Sequence, residues 1–197
     1  CAGGVDYELN KKIEYKTSRL IKHDAITVDL KVLGLVGGHS GVDIHLGRGN
    51  AIKILAGLLS TLKDKVEFEF VSFEGGRAHN IIPREAKCRI HLKKNLVQEV
   101  KAIVGDYYNK MVDALYKDDQ EFQIELDELV FTDERRVPSE DFSMIVSTAL
   151  SLPHGAFSYM WEFEEPLVRY SANLARFICH DQNLYFEVSA RFTHASD

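Results

Sequence analysis

The sequence predicts an α+β fold: a split β-α-β, ferredoxin-like antiparallel sheet with its helices on one face, followed by a partial second copy of that unit. Three observations predict it. Short stretches alternate apolar and polar residues, two longer stretches repeat apolar residues at helical spacing, and the two patterns succeed one another as β-α-β-β-α-β.

Residues 1–23 are polar and lysine-rich, with Tyr7, Leu9, Ile13 and Tyr15 alternating, which reads as an extended lead-in or an edge strand. Ile26, Val28, Leu30 and Val32 then alternate with Thr27, Asp29 and Lys31, the pattern of a half-buried strand. After Gly49 or Asn50 as N-cap, Ala51, Ile54, Leu55, Leu58, Leu59 and Leu62 predict a helix that ends at Lys63-Asp64. Val66, Phe68 and Phe70 alternate with Glu67 and Glu69 in a second strand that stops at Glu74-Gly75-Gly76. A proline-closed turn, Arg77-Ala78-His79-Asn80-Ile81-Ile82-Pro83, leads to a third strand through Cys88, Ile90 and Leu92. Leu96, Val100, Ile103, Val104, Tyr107, Tyr108, Met111 and Leu115 predict a long amphipathic helix over 95–116, and Phe122, Ile124 and Leu126 a fourth strand.

A thinner set follows, with a helix over 142–150 and strands over 167–178 and 184–192 joined by His180-Asp181-Gln182-Asn183. Val188-Ser189-Ala190-Arg191 is similar to the end of the third strand, as though half the fold had been copied without its closing helix. No low-complexity linker divides the chain. The expected organisation is a lead-in over 1–25, a first unit over 26–130 and a partial second unit over 131–197.

The 197 residues are 45% hydrophobic and 27% charged, enough for a buried core. A formal net charge of −6 argues against a nucleic-acid surface, and no apolar run reaches the length of a membrane span. Cys1, Cys88 and Cys179 are odd in number and far apart, neither a disulfide framework nor a thiolate zinc site, which fits idle thiols in a reducing cytoplasm. The opening Cys1-Ala2-Gly3-Gly4 has no initiator methionine and shows no signal peptide, as expected of the middle of a longer polypeptide.

The densest chemical signal is 34–51, which holds six glycines together with His39, Asp43, His45 and Arg48. Glycines this close together point to positive φ or close main-chain approach. A phosphate cradle would need the terminal Gly-Lys-Ser/Thr, which is absent, and a dinucleotide fingerprint fails on glycine spacing. A plain strand-to-helix connection remains open, but it does not explain the four polar side chains.

Gly37-Gly38-His39-Ser40-Gly41-Val42-Asp43-Ile44-His45, with Gly47-Arg48-Gly49-Asn50-Ala51, resembles a segment of bacterial aminoacyl-histidine dipeptidases, within the co-catalytic zinc exopeptidases. Gly75-Gly76 with Asn80-Ile81-Ile82-Pro83-Arg84-Glu85-Ala86 resembles a second motif of that family. Leu152-Pro153-His154-Gly155 and Ser171-Ala172-Asn173-Leu174-Ala175 are weaker matches. The resemblance implies the lid domain of a cytoplasmic dipeptidase whose two zinc ions sit on a catalytic domain outside this chain, with residues 1–25 leading in from that domain. This chain itself offers no cluster with metal-ligand spacing, so no cofactor is expected in it and the isolated chain is expected to be inactive.

Family resemblance makes His39 a donor to the oxygen that becomes negative during amide hydrolysis, and Asn80 a second substrate-facing donor. A dipeptide's free carboxylate needs a fixed cation. The family places an arginine near the end of a lid strand; Lys93 stands there in the first unit and Arg191 in the second, so Arg191 is the substrate-binding candidate. The residues alone also allow a backbone-bonded loop imidazole, a turn-forming asparagine and an ordinary strand arginine. Leu46, Ile52, Arg77 and His79 depart from the family pattern, and 157–165, with Trp161, Glu162, Glu164 and Glu165, departs most, which bears on substrate choice. The expected partners are a dipeptide, the catalytic domain and a second copy in a homodimer. The alternative function is a non-enzymatic module that associates edge to edge. An RNA-binding module on the same fold is disfavoured by the acidic balance.

Overall fold

The computed structural model describes residues 3–115, 118–162, 164 and 167–193. Cys1, Ala2, Tyr116 and Glu165, which enter the sequence reading, lie outside them. The strands are β1 (Gly3–Lys12), β2 (Lys16–Thr17), β3 (Ala25–Leu33), β4 (Gly38–His39), β5 (Glu69–Gly75), β6 (Ile81–Ile82), β7 (Ala86–Lys93), β8 (Gln123–Val130), β9 (Arg135–Arg136), β10 (Gly155–Met160), β11 (Leu167–His180) and β12 (Asn183–Phe192). The helices are α1 (Ala51–Lys63), α2 (Val97–Ala114) and α3 (Ser139–Ser151). No helix among the described residues is long and apolar enough to cross a membrane.

Eight strands form one sheet in the order β1-β12-β11-β5-β7-β3-β8, with β10 also paired to β11, and every pair is antiparallel. The stretch β5-β7-β3-β8, with α1 and α2 as connections, is the split β-α-β unit expected from the sequence. β11, β12 and β1 extend it, so the N-terminal strand ends beside the C-terminal one, paired from Gly3↔Phe192 to Lys12↔Asn183. The two parts of the sheet meet where Phe73, Glu74 and Gly75 of β5 face Cys179, Ile178 and Phe177 of β11. There Phe73 and Phe177 pack edge to face, with centroids 5.4 Å apart.

Alternation along the strands decides which face is covered. Val28, Leu30 and Val32 of β3 and Cys88, Ile90 and Leu92 of β7 join one core with Ile54, Leu55, Leu58, Leu59 and Leu62 of α1. Asn50 caps α1 as predicted, its Oδ1 accepting from the Ile52 and Lys53 amides at 3.0 and 3.4 Å. α1 packs against both α2 and α3, and Tyr107 of α2 donates to the Ile54 carbonyl at 3.0 Å. The opposite face of the first unit carries ion pairs instead. Arg89 grips Asp29 with two bonds of 2.6 and 2.7 Å, and Lys31 meets Asp127 at 2.5 Å. Cys88 and Cys179 are buried, and burial pushes both thiols up, Cys179 to about 12.

The short strands β2, β4, β6 and β9 are not expected from the sequence, α3 begins at Ser139 rather than 142, and two longer strands also differ from the sequence expectation. The second strand starts at Glu69, because the amides of Lys65 and Val66 still bond the Leu62 carbonyl at the end of α1. β10 has no strand-like alternation to announce it: its pairing with β11 shifts register on both sides of Ser158, and Gly155 enters it with φ +125°.

β11 has its own register shift between Leu174 and Arg176, and Gly76 fits against the Ala175 carbonyl there, with φ +78°. A β-carbon on Gly76 would overlap that carbonyl. Gly76→Ala therefore combines a left-handed strain with a backbone clash at the junction of the two parts of the sheet. We expect it to lower unfolding free energy by about 2–4 kcal/mol, read as a shift in denaturant midpoint at unchanged slope.

Candidate substrate-facing site

The glycine-rich loop between β3 and α1 is held at its neck by one carboxylate. Asp119 is buried, and its Oδ1 accepts from the Val36 amide at 2.9 Å while Oδ2 accepts from the Gly49 amide at 2.8 Å. Inside the loop, Arg48 donates to the Gly37 carbonyl at 2.8 Å and lies 3.6 Å from Asp43. Asp43 Oδ2 in turn accepts from the His39 amide at 2.8 Å. Gly38 passes this pair with φ +135°, and a β-carbon there would sit 2.5 Å from Arg48 Nη1 and 2.6 Å from Asp43 Oδ2, so glycine is required.

His39 is exposed. Its Nδ1 accepts from the Gly41 amide at 3.0 Å, so the neutral ring carries its proton on Nε2. The backbone therefore sets the tautomer and leaves Nε2–H as the donor. Gly41 also separates the ring from Arg191: a β-carbon on it would lie 3.1 Å from His39 Cε1 and 3.3 Å from Arg191 Nε.

Asn80 reaches the same place through the backbone. β4 pairs with β6, His39 opposite Ile81, and the Ser40 amide donates to the Asn80 carbonyl at 2.9 Å. On the other flank, the buried Asn173 of β11 donates through Nδ2 to the carbonyls of His79 and Ile81, at 3.1 and 2.9 Å. Asn173 and Arg191 share a sheet face, since Ser171 pairs with Arg191 and Asn173 with Ser189 on the neighbouring strand. His39, Asn80 and Arg191, far apart in sequence, are thus brought to one place.

Behind them lies a second histidine. The Asn50 Nδ2 donates to the Leu174 carbonyl at 2.9 Å and faces His154 Nδ1 at 3.2 Å. Burial, then the nearby Lys53 charge, push the His154 imidazole down to about 4, while the neighbouring Asn173 side chain pulls the other way. A neutral ring suits an Nδ1 that faces an amide donor. Lys53, itself pushed down by burial, donates to the carbonyls of Leu150, at 2.7 Å, and Leu152. Among the described residues no group of three or more His, Cys, Asp or Glu could hold a metal ion.

Sequence reasoning missed Asp119 and the contribution of Asn173. Asp119 sits in a charged turn with no motif around it. Asn173 and His154 belong to the two weaker family matches, and the bonds of Asn173 to the His79 and Ile81 carbonyls are a signal only the fold makes visible.

Residues 30–119 of this sheet and its helices match the family described as the peptidase dimerisation domain. That match spans just under half of the chain, and the chain is also similar to dipeptidases. Over 127 residues it is 32% identical to the cytosol non-specific dipeptidase of Escherichia coli (strain K12), a match covering 64% of this chain and 26% of the relative. The crystal structure of the aminoacylhistidine dipeptidase from Vibrio alginolyticus superposes with a TM-score of 0.90 at 28% identity, covering 100% of this chain and 39% of that one. The chain thus spans about a quarter of the curated relative and about two fifths of the solved one.

Two outcomes follow from the bonds at this site. Asp119→Asn turns an acceptor into a donor facing a backbone amide, and it should cost about 1–3 kcal/mol of stability. Hydrogen exchange over 36–49 should accelerate, while the amides of α2 stay protected. His154 has the opposite kind of sensitivity. Its folded-state value of about 4 lies below the ordinary 6.5, so its contribution to stability is complete above pH 6.5 and is lost as pH falls toward 4. The loss should be on the order of 2–3 kcal/mol. Buried His91 is shifted in the same direction, so His154→Asn should reduce the slope of stability against pH in that window without abolishing it.

Proposed function

We propose that this chain is the substrate-binding lid of a cytoplasmic zinc dipeptidase that cleaves Xaa-His-type dipeptides. Residues 1–25 lead in from a catalytic domain, 26–130 form the first unit and 131–197 a partial second one. The observation that carries the reading is the convergence of His39, whose tautomer is fixed by the Gly41 amide, with Asn80 and Arg191. The name of the Vibrio alginolyticus relative supports the preference for histidine at the second position, although the Escherichia coli relative is called non-specific. In this reading the metal-dependent part of the reaction belongs to the catalytic domain.

The roles follow from the chemistry of amide hydrolysis. As a nucleophile adds to the scissile carbonyl, negative charge gathers on its oxygen, and a neutral imidazole with Nε2–H outward is a preset donor to it. The Asn80 amide offers a second donor from the adjoining turn. Arg191 supplies a fixed positive charge for the dipeptide's carboxylate, with a planar fork suited to two parallel bonds. Both donors stand on backbone that is hydrogen-bonded before substrate arrives, so little reorganisation is left for the reaction itself.

A second reading, association with another copy of the chain, has its own support. The matched family is described as a dimerisation domain, and β1 and β8 are the outermost strands of the described sheet. On β1, Val5, Tyr7 and Leu9 are 40%, 60% and 41% exposed, an apolar row on an edge strand. The two readings are compatible in one protein.

In the full-length enzyme, His39→Ala should lower kcat about a hundred- to thousandfold with little change in KM. Arg191→Ala should act mainly by raising KM. Steady-state kinetics on folded variants decide the matter: a near-normal kcat for His39→Ala would reduce the glycine loop to a connection.

A further inference from the structure

We infer that Asn173 is the positioning residue for Asn80, a role that rests on the reading of Asn80 as a substrate-facing donor. Three consecutive carbonyls of the Asn80 turn are bound, and the pattern is specific. The central one, of Asn80, accepts from the Ser40 amide at 2.9 Å, next to His39. The two beside it, of His79 and Ile81, accept from the single Nδ2 of Asn173, at 3.1 and 2.9 Å. One buried amide thus grips the residue before Asn80 and the residue after it, fixing the direction in which the Asn80 side chain leaves the backbone.

Asn173 is itself well placed for this. It is 1% exposed, so water does not compete for its two protons. It lies on β11, two pairs along from Ser171–Arg191 and therefore on the same face. The same side chain therefore ties the Asn80 turn to the strand pair that carries Arg191. Its orientation is determined by chemistry: the opposite rotation of the amide would aim Oδ1 at two carbonyl oxygens. Asn50, which caps α1, donates to the carbonyl of Leu174, next to Asn173 on β11, and faces His154, so the support runs back to the helix that follows the glycine loop. Asn173 touches neither reacting atoms nor substrate in this account. It acts through Asn80.

The test is a double-mutant cycle in the full-length enzyme. Asn173→Asp keeps the shape but replaces two donors by an acceptor, and it should lower kcat about ten- to a hundredfold while KM changes by less than about threefold. Asn173→Ser, which keeps one donor, should fall between it and the parent, and it serves as the readout if Asn173→Asp does not fold. In an Asn80→Ala background either change should add almost nothing, because the group being positioned is gone. Full additivity would overturn the inference and leave Asn173 a general structural residue. Hydrogen exchange separates this from failure of the functional reading. If Asn80→Ala alone leaves kcat intact, the substrate role of Asn80 is wrong; the positioning still stands if the Ser40 amide and those of 79–82 exchange faster in Asn173→Ser, and falls if they do not.

Discussion

A loop rich in glycine keeps one shape only if its backbone donors are bound, and at its neck those bonds come from Asp119. The Val36 and Gly49 amides lie on opposite sides of the loop, and one buried carboxylate accepts from both. Charge-assisted bonds to a carboxylate are stronger than bonds between neutral groups, which suits a segment with so much chain entropy to lose. Once the neck is closed, Arg48, Asp43 and the Gly41 amide complete the inside of the loop, and His39 is left with a single outward donor. The orientation of the imidazole is therefore a consequence of backbone bonding, before any substrate is present.

The second constraint is the length of β11. β5 stops at Gly75, opposite Phe177, while β11 runs from Leu167 to His180. Its free N-terminal portion is taken up on that side by β10, at 167–172, and by the Asn80 turn at Asn173. The register shift at Ala175 marks the change from one neighbour to the other, and Gly76 fits into it. Had β5 continued along β11, a sheet ladder would occupy the place where the turn is held. Ending one strand early makes room for a loop on a rigid strand, a common way of presenting functional residues.

Period and motif made most of the fold legible in the sequence. α1, β3, β7 and α2 each bury one side, so their apolar residues recur at the spacing the element imposes. β10 was hidden because a bulged strand at the end of a sheet has no regular alternation to display. His39 and Asn80 were legible through their neighbours, which form motifs. Asp119 and Asn173 were not, because each acts through side-chain bonds to backbone far away in sequence, 70 positions from Asp119 to Gly49 and 94 from Asn173 to His79. Such bonds leave no periodic trace, and only the strand register shows which distant residue faces which.

That register also explains why the three candidate residues need the entire sheet. His39 and Asn80 belong to connections of the first unit, whereas Arg191 stands on β12, which β11 alone joins to β5. The spacing between donor groups and cation is consequently set by the three residue pairs of the β5–β11 junction and by the Asn173 clamp across it. On the proposed function, only two backbone atoms separate a dipeptide's scissile carbonyl from its terminal carboxylate, so a surface that binds it must hold donor and cation within a narrow range of separation. Carrying them on strands of one continuous sheet, with loops fastened to the strands by buried side chains, meets that requirement with little freedom left to lose on binding.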